Sequence, residues 1–512
     1  MTMLHPYRMC LCHNMLICSA KRLLGSRSSL AKYRNGAHSK FARHSAVLYP
    51  DGRSPAFKEE CRFAALDDAG SNFSSGISKW GILWKHRMHS TTGIRLEEPL
   101  QKSMTEIVPR LALVPSDIRY EDLVITRSEH IQVKPKLDAT TLRFGAVYSD
   151  HMLQASWREE LGWTAPSIDP LSSVSLHPCA QVLHYAVQCF EGMKCYKGKD
   201  GRLRLFRPDM NMDRFAHSAD RLTLPQFDKV ELLECIKELL RIERDWVPDE
   251  EGFSIYIRPL LIFVTHPFLG VCPTREAMLF VILSPVGPYF PSGLKPIKLY
   301  VETQNGRAFP GGVGDTKIGG NYAPTLLPQL NGTQLGCSQV LFVLQDGNPG
   351  GGLVGESSSM NVFFLIQQDG ENRELELVTP PLDGLILPGI TRDSVLTLAR
   401  GFGNMKVSER PLRFNELEGA AENGRLLEVF GTGTACMVQP VMGLVMKDQT
   451  EIVVPFNNEA AEYWLAKPPG TAGLPHSSAG EPLSVCGRLT RALLDVQHGH
   501  VDSKCFDSTQ AV

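Results

Sequence analysis

One lysine, Lys317, lies among five glycines in the segment 311–320, which reads Gly-Gly-Val-Gly-Asp-Thr-Lys-Ile-Gly-Gly. Glycine lets the backbone adopt left-handed conformations and approach a bound molecule closely, at a cost in chain entropy. A lysine held there loses solvation, and desolvation lowers an ammonium pKa from its ordinary value of about 10.4. Because a neutral amine attacks aldehydes, the segment is suited to Schiff-base chemistry. Taken alone, it is more typical of an exposed glycine loop.

An acidic residue, Glu356, follows a second glycine-rich run, 347–355, and opens a predicted buried strand that continues to Ile366. The run lacks the Gly-Lys-Ser/Thr ending of a P-loop, and it is not embedded in a strand-to-helix turn as a dinucleotide fingerprint is. The segment therefore argues against kinase and dehydrogenase functions. By itself, Glu356 is more typical of an ordinary loop charge.

Other segments offer groups that bind anions. A Pro-Gly turn at 388–389 precedes a predicted helix, whose first amides have no intrahelical acceptor. A predicted strand over 428–432 ends in a turn of small residues, and one arginine presents paired donors that match phosphate oxygens. The same patterns also occur at ordinary helix caps, plain turns and exposed charges. The candidate residues are Ile390, Thr391, Thr434, Ala435 and Arg207.

Strands and helices must position these groups. An apolar run predicts a strand over 254–264, and on it Tyr256 and Arg258, two residues apart, point to the same face. A cation beside an aromatic wall suits a carboxylate, although an arginine extending from an edge strand has the same spacing. Helical spacing of apolar residues is found over 183–193, 209–222 and 227–246.

A Pro/Gly-rich stretch over 285–293 predicts a boundary between two domains. Tyr289 lies in it, and ligand sites often form between domains, although a packed linker tyrosine fits equally well. The Pro/Gly/Ser-rich end of the chain is expected to be unstructured, apart from a possible short helix over 489–496. The predicted divisions are a leader over 1–95, a small α/β domain over 118–285, a connection over 286–297, a larger domain over 298–466 and a disordered tail over 467–512.

The segment Lys317-Ile-Gly-Gly-Asn-Tyr-Ala-Pro-Thr325, with the preceding Gly-Gly-Val-Gly-Asp, resembles the cofactor-lysine segment of the branched-chain amino acid aminotransferases. Phe190-Glu-Gly-Met-Lys-Cys-Tyr-Lys-Gly198 resembles another segment of the same family, and the resemblance covers residues 118–464. It implies an α+β fold of type IV, with a small α/β domain and a larger, β-rich cofactor domain. It also implies pyridoxal 5′-phosphate as the cofactor.

The resemblance implies a role for each candidate residue. Lys317 carries the cofactor aldehyde and moves the substrate's α-proton, Tyr322 hydrogen-bonds the ring oxygen, and Glu356 faces the ring nitrogen. The residues implied in phosphate binding are Arg207, Ile390, Thr391 and Thr434. Those implied in substrate binding are Tyr148, Tyr185, Phe190, Tyr256, Arg258, Tyr289, Ser359 and Ala435. Ser359 stands where the family usually has threonine.

The activity implied is reversible transfer of the amino group of leucine, isoleucine or valine to 2-oxoglutarate, giving branched 2-oxo acids and glutamate. The family works as a homodimer, which implies that Tyr185, Leu269 and Val271 lie against the neighbouring subunit's substrate. A D-amino acid aminotransferase or an aminodeoxychorismate lyase would share Lys317 and Glu356. The altered C-terminus also leaves open a catalytically silent binding protein.

Residues 1–50 contain no Asp or Glu but eight Lys and Arg among serines, alanines and leucines. This composition predicts a transit peptide and a mitochondrial matrix location, although a disordered basic leader would look similar. A net charge of −2 and the lack of a long apolar run give no reason to expect nucleic-acid or membrane binding. Gln439 replaces a cysteine of animal mitochondrial relatives, which argues against a two-cysteine redox switch with Cys436.

Overall fold

The computed structural model describes residues 117–134, 142–264, 269–287, 295–371, 373–472, 481–501 and 510–512. All of them belong to one compact unit, Glu97–Val512. The predicted leader over 1–95 and Tyr289 lie outside the described residues. No helix in the described ranges is long and apolar enough to cross a membrane.

The first half of the described chain forms a mixed sheet whose central strands are long and apolar. Its neighbouring strands follow the order β1-β4-β2-β9-β8-β6-β7, while β3 pairs with β2 and β5 pairs with β8. The strands are β1 (Val124–Ile125), β2 (His151–Arg158), β3 (Gly162–Trp163), β4 (Ser167–Pro170), β5 (Gln188–Phe190), β6 (Met193–Lys197), β7 (Leu203–Leu205), β8 (Ser254–Phe263) and β9 (Glu276–Val286).

Helices pack on this first sheet because their apolar stripes need burial. They are α1 (Gln181–Tyr185), α2 (Pro208–Arg221) and α3 (Lys229–Ile242). The Asp228 carboxylate caps α3 by accepting from the amides of Val230 and Glu231. The helices predicted over 209–222 and 227–246 are confirmed in α2 and α3.

The helix predicted from the apolar spacing over 183–193 is wrong for most of that range. The helix α1 ends at Tyr185, because Ala186 adopts a left-handed conformation with φ of 50°. The chain then enters β5, which pairs antiparallel with β8, so that Cys189 lies opposite Leu261. Burial between β8 and the lysine segment explains the apolar residues that resemble a helical stripe.

The second half forms another mixed sheet with the order β12-β11-β10-β17-β16-β13-β14-β15, and β18 pairs with β17. The strands are β10 (Ile297–Glu302), β11 (Gln339–Leu344), β12 (Leu353–Ser357), β13 (Asn361–Gln367), β14 (Leu375–Thr379), β15 (Lys406–Glu409), β16 (Leu426–Gly433), β17 (Met437–Val445) and β18 (Glu451–Val453). The helices are α4 (Leu326–Gln334), α5 (Ile390–Phe402), α6 (Phe414–Glu422), α7 (Asn458–Leu465) and α8 (Val485–Gln497). A last strand, β19 (Gln510–Ala511), returns to β7 of the first sheet.

The end of the chain differs from its prediction. The stretch expected to be a disordered tail contains α8, which is longer than the short helix predicted and is buried along its whole length. The Glu428 carboxylate accepts from the first two amides of α8, and the Arg488 guanidinium lies 3.7 Å from the Phe402 ring centroid. Contacts made by other parts of the fold therefore order a helix that composition alone assigned to a flexible region.

We expect Glu376→Gln to destabilise the fold in a pH-dependent way. Burial opposes ionisation, but hydrogen bonds from Arg410 lower the pKa of Glu376 to about 2. Because this pKa is depressed, the carboxylate stabilises the fold above the unfolded pKa, and the stabilisation is lost as pH falls toward 2. At pH 7 the loss should be about 1 to 3 kcal/mol in the free energy of unfolding.

The measurement is urea unfolding between pH 2.5 and 7, with the exposed Glu422→Gln as a matched control. The difference between wild type and Glu376→Gln should shrink steadily below about pH 4.5. A difference that stays constant over this range would contradict the expected ionisation.

Candidate active site

A cavity of about 300 Å³ is lined by residues of both sheets and of the segments that follow them. The loop before β6, the strand β8, the lysine segment, the end of β12 and the start of α5 all reach it. The predicted site residues that line it are Phe190, Tyr256, Arg258, Lys317, Tyr322, Glu356, Ser359, Ile390, Thr391, Thr434 and Ala435.

The backbone of Lys317 is held on both sides. Its amide donates to the Ser218 hydroxyl at 2.9 Å, and its carbonyl accepts from the Phe190 amide at 3.0 Å. The side chain enters the cavity, where Nζ lies 3.3 Å from the Tyr322 hydroxyl and 4.9 Å from the Phe190 ring centroid. A short helical turn, Gly319–Asn321, follows directly and brings Tyr322 back over the lysine. The amine is therefore fixed between two aromatic rings.

Glu356 is buried in the same cavity, at the end of β12. Arg307 Nη1 lies 2.5 Å from one carboxylate oxygen, and the Leu387 amide and the Asn361 side-chain amide donate at 2.9 and 2.8 Å. Burial raises the pKa of Glu356, and Arg307 and the Leu387 amide act against this effect. One ion pair and two hydrogen bonds thus hold the carboxylate in one orientation.

The anion-binding end of the cavity is the start of α5. Its first residues, Ile390 and Thr391, line the cavity, and the preceding Gly389 gives no side-chain cap. A Cβ at Gly389 would lie 2.0 Å from the Asn361 side-chain oxygen, so only glycine fits. The free amides at this helix start suit an anion. Arg214 lines the same cavity.

Arg214 was missed by the sequence analysis, although it lies in the predicted helix over 209–222. It is buried, and it donates to both oxygens of the Glu191 carboxylate and to the Pro388 carbonyl. The ion pair, working against burial, lowers the pKa of Glu191. The one available signal was an arginine among the apolar positions of α2. Arg307 and Asn361 were missed because only the fold brings them to Glu356.

Arg207 is not placed at the cavity. It occupies a left-handed position before α2 with φ of 52°, and its guanidinium donates to the Ser394 hydroxyl at 2.9 Å and pairs with Asp393 at 2.7 Å. It therefore supports α5 from the side. Arg207 does not line the cavity in the described ranges, whereas Arg214 does, and the part of Arg207 in phosphate binding stays a prediction.

Two predicted tyrosines also lie away from the cavity. Tyr148 and Tyr185 are 39% and 45% exposed and are not among the lining residues in the described ranges. Phe144 lines the cavity instead, with its ring centroid 4.8 Å from that of Tyr256. The sequence offered no reason to prefer Phe144, because the turn that brings it in is set by packing. Tyr289 lies outside the described residues.

The aromatic wall carries one cation. The Arg258 guanidinium carbon lies 4.8 Å from the Phe190 ring centroid and 5.2 Å from that of Tyr256, and Nη2 donates to the Tyr256 hydroxyl at 3.3 Å. The prediction that Tyr256 and Arg258 share one face of a strand is confirmed. The wall is therefore apolar, with the Arg258 guanidinium at one side.

These groups fit a phosphate-bearing aromatic aldehyde. The lysine amine, the opposing acid and the amides of α5 each match one part of such a molecule. Within the described part of the chain, four polar atoms at the cavity are buried without a hydrogen-bond partner. They are Thr432 Oγ1, Arg258 Nε, Arg307 Nε and Arg307 Nη1, the last of which lies in the ion pair with Glu356. A buried polar atom of this kind costs free energy unless a ligand or water pairs with it.

The chain matches the family described as amino-transferase class IV over residues 188–443, half of its length. This range includes Lys317, Glu356 and the start of α5. The chain belongs to the class IV amino-transferases, which use pyridoxal 5′-phosphate, as predicted.

Within that class, the chain belongs to the branched-chain-amino-acid aminotransferases. It is 50% identical to the cytosolic enzyme of this name from Ovis aries over 332 residues, 64% of this chain and 84% of that one. It is 46% identical to the mitochondrial enzyme from Rattus norvegicus over 358 residues, 68% of this chain and 89% of that one. The resemblance described above is thereby confirmed.

The fold is shared with solved structures of lower identity. The branched-chain aminotransferase of Thermoproteus uzoniensis, solved with norvaline, has a TM-score of 0.51 at 20% identity and covers 70% of this chain and 98% of its own. The branched-chain amino acid aminotransferase of Thermobaculum terrenum in its pyridoxal phosphate form has a TM-score of 0.51 at 19% identity. The match covers 71% of this chain and 98% of that one. The predicted α+β fold is confirmed.

Proposed function

We propose that this chain transfers the amino group of leucine, isoleucine or valine to 2-oxoglutarate, reversibly and by a ping-pong mechanism. The observation that carries the proposal is that Lys317 and Glu356 line one cavity together with the aromatic residues Phe190 and Tyr256. A nucleophilic amine, an acid and an apolar wall are the three groups that this reaction needs.

When bound, the cofactor supplies an aldehyde for amine exchange and a ring that accepts electrons from the substrate's α-carbon. Lys317 would hold the aldehyde carbon and then carry the α-proton as general base and acid. Tyr322 would donate to the ring oxygen, and Glu356 would keep the ring nitrogen protonated. The phosphate would be held by the amides of Ile390 and Thr391, the Thr434 hydroxyl and Arg214.

The wall formed by Phe190, Tyr256 and Phe144 would receive the substrate side chain. An apolar wall prefers a branched aliphatic side chain to a charged one, because the charged group loses its hydration. Arg258 would bind the distal carboxylate of 2-oxoglutarate, since its guanidinium lies at the edge of this wall. The amides of Thr434 and Ala435, with the Ser359 hydroxyl beside them, would bind the α-carboxylate.

The amino donor separates this proposal from the related fold type IV enzymes. Purified protein with added cofactor is supplied with 2-oxoglutarate and either L-leucine or D-alanine, and glutamate formation is followed. We expect L-leucine to be the better donor by a wide margin. Preference for D-alanine would overturn the proposal in favour of a D-amino acid aminotransferase, and no turnover with either would favour a silent binding protein.

Gly192→Ala should narrow the substrate pocket. A Cβ at position 192 would lie 1.7 Å from the Tyr256 hydroxyl oxygen, so that the tyrosine must move into the pocket. We expect kcat/KM for L-leucine to fall about 10- to 100-fold, because one methylene in an apolar pocket has effects of this size. The matched control is Gly419→Ala, where nothing lies within 4 Å of the added Cβ. An unchanged kcat/KM for L-leucine in Gly192→Ala would show that Tyr256 is not part of the pocket.

A homodimer is part of the proposed function. Exposed apolar side chains at Leu269 and Val271, together with Tyr185, whose hydroxyl donates to the Leu269 carbonyl, support an interface at this surface. Sedimentation velocity should give a dimer that Leu269→Asp weakens. A monomer that retains full activity would contradict this part of the proposal.

We further propose that residues 1–95 direct the chain to the mitochondrial matrix. The acid-free, basic composition of residues 1–50 supports this, and relatives with mitochondrial and with cytosolic names are both found. Import into isolated mitochondria should require residues 1–95. Equal import of a chain that begins at residue 96 would contradict it.

A further inference from the structure

Lys194 is a buried lysine that the mechanism above does not use. It lies on β6, is 4% exposed, and its Nζ donates to the Ala435 carbonyl at 2.9 Å. Burial lowers the pKa of Lys194 to about 8. Among the described residues, no carboxylate pairs with it. A buried ammonium group with one carbonyl acceptor is unfavourable unless a counter-charge is near.

Lys194 borders a second, small cavity directly behind the anion-binding end of the site. This cavity has a volume of about 10 Å³, about what one water molecule needs. Ile390, Thr391 and Thr434 line both cavities, so they form the wall between them. Lys194 therefore lies one layer of residues behind the proposed phosphate position.

A second buried polar group borders the small cavity. Gln497, at the end of α8, is 3% exposed, and its side-chain oxygen has no hydrogen-bond partner among the described residues. A water in the cavity can accept from Lys194 and donate to this oxygen. The two groups thus form a polar back wall, to which the C-terminal helix contributes.

The other cations around the start of α5 are already neutralised. Arg214 pairs with Glu191, and Arg207 pairs with Asp393. Neither therefore adds a full positive charge to this end of the cavity. Lys194 differs because the described residues supply it with no acid.

From this geometry we infer that Lys194 is a supporting cation for the cofactor phosphate, acting from behind through the turn at Ala435 and the small polar cavity. It is a positioning residue, since it does not line the main cavity. The inference rests on the proposed function, because it requires the cofactor to bind with its phosphate at the start of α5.

The test compares two ligands that differ only in the phosphate group. Apoenzyme is titrated with pyridoxal 5′-phosphate and with pyridoxal, and dissociation constants are measured by equilibrium dialysis. Lys194→Met should weaken pyridoxal 5′-phosphate binding about 10- to 100-fold, the range expected for one partly buried charge interaction, and should leave pyridoxal binding within about twofold. The matched control is Lys237→Met, which removes a buried lysine of α3 that pairs with Glu234.

A second variant separates charge from hydrogen bonding. Lys194→Gln keeps a donor for the Ala435 carbonyl but removes the charge, so it should lose phosphate-dependent affinity as the methionine variant does. The ³¹P resonance of the bound cofactor should shift in both variants and not in Lys237→Met.

Three results would overturn the inference. They are equal weakening of both ligands, wild-type affinity for pyridoxal 5′-phosphate in Lys194→Met, and wild-type affinity in Lys194→Gln. Each would assign Lys194 to the support of the turn or to folding. If wild-type protein binds pyridoxal 5′-phosphate no better than pyridoxal, the proposed phosphate site itself fails, and this outcome is distinct from the other three.

Discussion

Replacing Lys317 by alanine should abolish transamination, lowering kcat by at least about 10⁴-fold. The variant loses both the amine that holds the cofactor and the group that moves the substrate proton, and general acid-base catalysis alone accounts for about 10²- to 10⁴-fold. Its fold should be intact, because the backbone of Lys317, and not its side chain, makes the bonds to Ser218 and Phe190.

Borohydride reduction followed by peptide mapping measures this directly. In wild type, the cofactor should be trapped on the peptide that contains Lys317, and Lys317→Ala should trap none. Lys298→Ala removes a partly buried lysine that pairs with Glu451, and it should trap cofactor normally. Cofactor trapped on a different lysine of the wild-type protein would contradict the assignment of Lys317.

Replacing Glu356 by glutamine should reduce kcat about 10²- to 10³-fold, a loss typical of removing one preorganised electrostatic group from an active site. A neutral amide does not keep the ring nitrogen protonated, and the ring then accepts electrons poorly. The same change leaves the Arg307 guanidinium, which is 3% exposed, without its carboxylate. Removing one partner of a buried ion pair costs about 3 to 5 kcal/mol of stability.

The two effects can be separated. Arg307→Met in the Glu356→Gln background removes the unpaired charge and should recover much of the melting temperature without recovering kcat. Glu376→Gln serves as the control, because it also removes a buried carboxylate that pairs with an arginine, and it should keep kcat near wild type. Undiminished transamination by Glu356→Gln would exclude the proposed role.

The positions of the Arg207 and Arg214 side chains are decided by the fold and not by the local sequence pattern. Arg207 directly precedes α2 and Arg214 lies in the middle of that helix, and sequence reasoning selected Arg207. The left-handed backbone at Arg207 directs its side chain to Asp393, while helical geometry turns Arg214 toward Glu191 and the cavity. The sequence pattern does not show which of the two arginines faces a strand from a distant part of the chain.

The apolar stretch over 183–193 shows the same limit. A run of apolar residues fits a helical stripe and a buried strand alike, and pairing with β8 decided for the strand β5. At the end of the chain, Pro/Gly/Ser composition predicted disorder, yet capping by Glu428 and packing on Phe402 order α8. Partners that are distant in sequence decided both cases.

By itself, the sequence determined the reactive groups and their local settings: an amine among glycines at Lys317, an acid directly after a glycine-rich run at Glu356, and a Pro-Gly helix start before Ile390. These follow from residue types and short spacings, because backbone conformation and capping depend on near neighbours. The strand predicted to run from Glu356 to Ile366 is instead the end of β12 followed by β13. Only the tertiary structure decided that Arg307 neutralises Glu356, that Arg214 reaches the anion-binding end, and that Lys194 lies behind it. Charges separated by many residues in the chain meet only when packing brings their elements together, and the low dielectric of that interior then determines what each charge contributes.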